Sequence, residues 1–193
     1  MDAPNTLTAI ANLALTKLGE ASIASIDSTD ARAVVARRVY PQVLRMVQSE
    51  FRWPELITEW APTEYEEDLA ADGSYRFALP GACLRVLEEM SGYRYRLEAG
   101  YFVTATESPN VRYLTYSESA DEWSPQLVDC VVFRLAIEIA PTLTEGLKRA
   151  RALEEQYEQL KKPQAWFVVS QAGQGRTYRP RRHRWARARY GYG

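Results

Sequence analysis

The sequence predicts an α+β chain, mainly α: a four-helix body with an inserted small β-rich unit and an extended C-terminal arm. Three observations carry this. Apolar residues recur at helical spacing up to about residue 54 and again from residue 124. Between those points they alternate with polar or small residues, in a stretch rich in Tyr, Val, Thr, Gly and Pro. Past Pro163 the composition turns to Arg, Gly, Gln and aromatic residues. The expected division is therefore a helical body of 1–54 and 124–162, a β-rich insertion of 55–123, and a basic-aromatic arm of 163–193.

Asn5 and Thr6 are cap candidates for a first helix, whose inner stripe is Leu7, Ile10, Ala11, Ala14, Leu15 and Leu18. Gly19 stands where a helix-ending glycine belongs. Ser28, Thr29 and Asp30 can cap a second helix, whose apolar positions are Val35, Val39, Val43, Leu44 and Val47 and which runs to about Phe51. Pro41 lies inside it, and a mid-helix proline removes one backbone bond, so a kink or break is expected near Tyr40. Short strands are expected around Tyr75–Leu79, Leu84–Met90, Tyr93–Glu98, Tyr101–Thr104 and Val111–Tyr116. Ala99-Gly100 is a tight turn between two of them. The acidic run Glu64, Glu66, Glu67, Asp68 and Asp72 reads as a loop. Ser124-Pro125 starts a third helix, with Leu127, Val128, Val131, Val132, Leu135 and Ile139 inward and an end near Pro141. Thr144 and Glu145 open a last one, with Leu147, Ala150, Leu153, Tyr157 and Leu160 inward, closed by Pro163. Trp53, Trp60 and Trp123 sit at the junctions, where large rings fill core between layers. Tyr93, Tyr95 and Tyr101 read as ordinary strand residues.

With 193 residues, of which 46% are apolar and 25% charged, the chain can bury a sizeable core as a globular protein. Its apolar runs fall short of the roughly 20 residues of a membrane span, so no membrane contact is expected. Met1 to Asn5 shows no basic stretch leading into an apolar run. Two cysteines, Cys83 and Cys130, make no disulfide framework, which points to a reducing compartment.

Few chemistries are available to such a chain. The single histidine, His183, lies in the Arg-rich tail, so no Ser-His-Asp or Cys-His centre can be built in the core. Cys83 and Cys130 lack zinc-site spacing, and no Gly-rich phosphate loop occurs; Gly173 and Gly175 follow no strand–helix junction. Carboxylates are plentiful, but sequence alone does not decide whether any two form a hydrolytic pair. No catalytic residue, cofactor or metal is expected.

Charge is divided unevenly. Through Glu158 there are 25 acidic against 15 basic residues, a net of −10, whereas 159–193 carries two Lys, seven Arg and no acid, a net of +9. An acidic body with a basic tail is built to dock on something. The tail interleaves Arg176, Arg179, Arg181, Arg182, Arg184, Arg187 and Arg189 with Tyr178, Trp185, Tyr190 and Tyr192. Arginine forks bind carboxylate or phosphate, and rings anchor in pockets or stack on bases. An arm on an acidic protein surface, a nucleic-acid-binding tail and a solubilising end all fit, although four aromatic residues weigh against the last.

Taken in order, Ala14-Leu15, Leu18-Gly19, Ile23, Ser25-Ile26-Asp27, Ala33, Tyr40-Pro41, Leu44-Arg45 and Trp53 make one group. Tyr75, Leu79-Pro80 and Cys83-Leu84-Arg85-Val86 make a second, and Tyr113, Tyr116, Trp123-Ser124-Pro125, Ala136, Ala140 and Leu143-Thr144 a third. Over about 150 residues this order resembles the tail tubular protein A family, the head-to-tail adaptors (connectors) of short-tailed bacteriophages. Pro141 and the Arg-rich end depart from the family pattern. The resemblance implies a structural virion protein, assembled in the host cytoplasm as a homo-oligomeric ring of twelve. It implies a portal protein above, a tail nozzle protein below, and genomic DNA passing through the lumen without specific binding. In such adaptors the helical body forms the ring and the β part faces the tail. The arm is expected to dock on the portal through Arg176, Tyr178, Arg179, Arg181, Arg182, Arg184, Trp185, Arg187, Arg189 and Tyr190, with Gln171 to Gly175 as a hinge. The competing expectation is a packaging or regulatory protein that binds nucleic acid through the same tail; a third is a small carboxylate hydrolase.

Overall fold

The first helix, α1 (Leu7–Leu18), begins and ends where its capping chemistry dictates. Thr6 Oγ1 accepts the Ala9 N–H at 3.2 Å. At the other end Gly19 takes φ 75°, and the N–H groups of Gly19 and Glu20 fold back onto the Thr16 and Leu15 carbonyls, each at 3.0 Å. These coordinates are a computed structural model, which describes residues 6–66, 72–143 and 149–161. A Cβ on Gly19 would stand 2.9 Å from the guanidinium of Arg149, which donates to the Leu18 carbonyl. Gly19→Ala should therefore cost about 1–2 kcal/mol from the left-handed backbone alone. Thermal melting should show a fall of about 2–8 °C for a chain of this size; an unchanged midpoint would contradict the assignment.

The second helix, α2 (Ala31–Glu50), is capped by Asp30, which accepts the Arg32 N–H at 2.8 Å and its guanidinium at 2.6 Å. The Arg32 side chain holds the Asp30 carboxyl down at about 2. One expectation is corrected here, the break near Tyr40. The inner stripe is Ala33, Ala36, Tyr40, Val43, Leu44, Val47 and Gln48, while Val35 and Val39 are only partly covered at its flank. The helix runs unbroken through Pro41. Pro41 and Arg37, whose carbonyl loses its partner, both lie on the exposed side. On that side solvent can reach the carbonyl, and the packing of Tyr40, Val43 and Leu44 offsets the roughly 3 kcal/mol that an interior proline costs.

The third helix, α3 (Pro125–Leu143), is the centre of the body, and both α1 and α2 pack along it. Ser124 Oγ accepts the Leu127 N–H at 3.3 Å, and Ser124 N–H reaches the Glu55 carboxylate at 3.0 Å. As expected, α3 ends near Pro141: its described residues run to Leu143, with the proline exposed. Residues 149–161 form a fourth helix, α4, which buries Ala150, Leu153 and Tyr157 with Leu160 partly covered. Tyr157 donates to Glu50 at 2.7 Å, and Lys161 Nζ lies 3.2 Å from the other oxygen of that carboxylate. The expected start at Thr144, Glu145 and Leu147, and the closing Pro163, lie outside the described residues.

Between α2 and α3 the chain builds two small antiparallel sheets from β1 (Ile57–Trp60), β2 (Tyr75–Ala78), β3 (Cys83–Glu89), β4 (Tyr95–Glu98), β5 (Tyr101–Thr104) and β6 (Val111–Thr115). One has the order β1-β6-β3 and the other β2-β5-β4. Strand β1 was not expected: four residues between prolines carry too little periodicity to announce it. Tyr93 lies before β4 rather than in it, because its N–H is taken by the Glu89 carboxylate at 2.8 Å in the turn after β3. The Ala99-Gly100 turn joins β4 and β5 as expected, with φ of 47° and 88°.

The layers are helices, first sheet, second sheet. Leu114, Ile57, Leu84 and Leu87 face the helical core, whereas Val86 and Val111 meet Phe77 and Phe102 of the second sheet. The register shifts in β3 let one strand feed both layers. Two carboxamides act as surrogate backbone. Asn12 exchanges hydrogen bonds with both backbone groups of Ile23 (2.8 and 3.1 Å), and Gln48 does the same with Ser117 (2.6 and 3.1 Å). The second clamp fixes the loop that returns from the insertion to the body.

Candidate assembly surfaces

The ten arm residues from Arg176 to Tyr190, together with His183 and the hinge at Gln171 to Gly175, lie outside the described residues. The site must therefore be built from the body and the insertion. Among the described residues no three His, Cys, Asp or Glu side chains are placed to hold a metal, and no helix is long and apolar enough to cross a membrane.

Both cysteines are free. Cys130 is fully buried in the α3 core, and burial pushes its thiol up to about 12; burial raises Cys83 as well. Such thiols pack rather than react. A disulfide reagent at pH 8 should leave Cys130 untouched in the native protein and label both cysteines in urea. Rapid native labelling of Cys130 would show that α3 is not packed in this way.

Exposed apolar side chains fall into two sets. On the helices they are Leu13, Val34 and Met46. On the insertion they are Tyr65 in the acidic loop and Met90, Tyr93, Tyr95 and Leu97, with Tyr93 and Leu97 each 51% exposed. The second set follows from topology. Tyr95 and Leu97 register opposite Thr104 and Phe102, so they share the face that covers the first sheet. Strand β4 is the outer strand, however, and Tyr95 reaches back only far enough to stack on Phe102 at 4.8 Å. The sheet thus ends in an uncovered aromatic edge. Its opposite face carries Arg96, held by Asp72 at 2.7 Å and Glu98 at 2.5 Å; the Arg96 guanidinium holds the Asp72 carboxyl at about 2. Such exposed pairs contribute little stability and serve mainly to keep that face charged.

The third feature is a groove of about 690 Å³ beside the end of β1, between Trp60, Pro62 and the side chains of Glu64, Tyr65 and Glu66. A second hollow of about 350 Å³ continues from Pro62 and Tyr65 to Glu107 and Asn110. Tyr101 donates to Glu66 at 2.6 Å and Tyr75 to Glu107 at 2.5 Å. Each carboxylate in turn raises the pKa of its phenol, Glu107 that of Tyr75 and Glu66 that of Tyr101. Deeper in, Trp60 packs edge-on to Phe102 with ring centres 6.2 Å apart.

Of the tryptophans assigned to the junctions, Trp53 and Trp123 are buried in the main core and Trp60 is partly buried against the smaller one. The acidic segment is a loop where described, at Glu64, Glu66 and Asp72. Its aromatic and acidic alternation, Trp60 to Glu66, was the available signal for the groove, but without its partners from β2, β5 and 107–110 it looks like any solvated loop. No protein-family model matches the chain, and no curated protein matches it.

Proposed function

We propose that the protein is the head-to-tail adaptor of a short-tailed phage, a structural subunit that closes into a ring between portal and tail nozzle. The observation that carries this reading is the division of the fold into two unlike surfaces. A helical body presents Leu13, Val34 and Met46, and a β unit presents Met90, Tyr93, Tyr95 and Leu97. An adaptor needs one surface for its ring neighbours and another for the partner below, and head-to-tail contacts between bodies close a ring if the rotation closes.

Charge supports the same reading. Repeated around a ring of twelve, a body of net −10 makes a negative lumen, which repels DNA phosphate and lets a genome slide without specific binding. The arm, through Arg176 to Tyr190, docks on the portal, with Trp185 and Tyr190 as anchors and the arginines pairing with acidic groups. The virion is then the protein's place of action, with no catalytic step and no cofactor. The seven-arginine tail alone favours the second reading, a nucleic-acid-binding packaging or regulatory protein, whose affinity would fall steeply with salt. The deciding experiment is the mass of the purified protein alone and in the presence of a portal ring.

A further inference from the structure

Among the described residues, the groove beside β1 and the hollow that continues from it are lined by three carboxylates, two aromatic rings and no basic side chain. Glu66 and Glu107 are each gripped by one phenol, which orients the carboxylate without neutralising it. Glu64 has no ion-pair or hydrogen-bond partner among the described residues. An acidic loop alone would mean little, but here the charges sit above an aromatic wall, Trp60 and Tyr65, in a hollow large enough for side chains.

A separate observation concerns where the tail leaves the body. Lys161, the last described residue of α4, lies 3.2 Å from Glu50 at the C-terminal end of α2. From Glu50 the chain has only ten residues to Trp60, a span of at most about 36 Å. Lys161, which the basic segment follows in sequence, therefore lies at the end of the body that carries the insertion, where Arg52 also meets Glu88 of β3. The fifteen residues from Lys161 to Arg176 reach about 50 Å when extended, enough to bring Arg176 to the groove.

We propose that in the isolated subunit this groove seats residues 176–190 of the same chain, arginines on Glu64, Glu66 and Glu107, and Trp185 against Trp60 and Tyr65. The inference rests on the reading of the tail as a docking arm, and adds that a portal must displace the arm from its own subunit. Sign and chemistry match: 176–190 carries seven arginines and three aromatic residues with no acid, and the groove offers the reverse charge and two rings.

The test uses the full-length protein with p-benzoylphenylalanine in place of Trp185. Photo-crosslinks mapped by mass spectrometry should concentrate in 60–66 and 107–110. Combining Glu64→Lys, Glu66→Lys and Glu107→Lys should cut that yield at least fivefold, and so should 0.5 M NaCl on the unmutated groove, a control that needs no folding assumption. Crosslinks scattered over the helices, or a yield indifferent to both salt and charge reversal, would overturn the proposal. So would crosslinks joining heavy- and light-labelled chains in a mixture, because the seat is intramolecular. Ring formation on a portal is read separately, so failure here leaves the adaptor role standing, and failure there leaves this contact measurable.

Discussion

Trp53→Ala should destabilise the protein by about 3–5 kcal/mol, the cost of removing a large aromatic ring from a well-packed core. Trp53 is 1% exposed, meets Phe51 edge-to-face with ring centres 5.4 Å apart, and donates its Nε1–H to the Val47 carbonyl at 3.0 Å. Its position makes the loss more than local, because it plugs the corner where α2 ends and the 3₁₀ turn Pro54–Leu56 leads into β1. Native proteins hold only about 5–15 kcal/mol in reserve, so a large share would go at once. Trp53→Phe keeps most of the ring contact and loses the donor, costing about 1–3 kcal/mol. Urea unfolding of the three proteins measures both numbers. A loss below about 1 kcal/mol for the alanine variant would mean that the corner does not tie the insertion to the body.

The second large effect concerns the arm. Deleting 176–193 should abolish attachment to portal-bearing heads, and Trp185→Ala alone should weaken it about 30-fold or more, as loss of a central aromatic anchor does. Exposed Arg–carboxylate pairs contribute about 0–1 kcal/mol each, so single arginine substitutions should cost far less than Trp185. A nucleic-acid-binding tail makes the opposite forecast. Each arginine lost would then weaken binding by a similar step and flatten its salt dependence, while Trp185 would matter little. Normal attachment by both variants, with salt-sensitive DNA binding by the intact protein, would replace the adaptor by the nucleic-acid reading.

What could be read from sequence follows the strength of local signals. Helix α1 was legible almost to the residue, because Asn5-Thr6 and Gly19 bracket an uninterrupted stripe, with Thr6 the cap that forms. The strand order was not legible, yet the strands β2, β3, β5 and β6 were, since their alternation answers to a two-sided burial that the layers impose. The proline misled in α2: a local rule sees the missing N–H, whereas the folded chain places Pro41 toward solvent and keeps the helix for its buried face. The apolar positions of α2 are not all in its buried stripe: Val35 and Val39 are the more hydrophobic, but the small Ala33 and Ala36 are the fully buried ones. The Gln48 clamp and the carboxylate groove join residues more than 30 positions apart, and no local pattern encodes such pairs.

The most direct test is the mass of the assembly. The 22.0 kDa subunit should run as a small species by itself, and a portal ring mixed with an excess of it should gain the mass of twelve subunits and no more, as a closed ring requires. Native mass spectrometry resolves each added copy. A portal ring whose mass does not change, with the protein still monomeric beside it, would contradict the adaptor assignment.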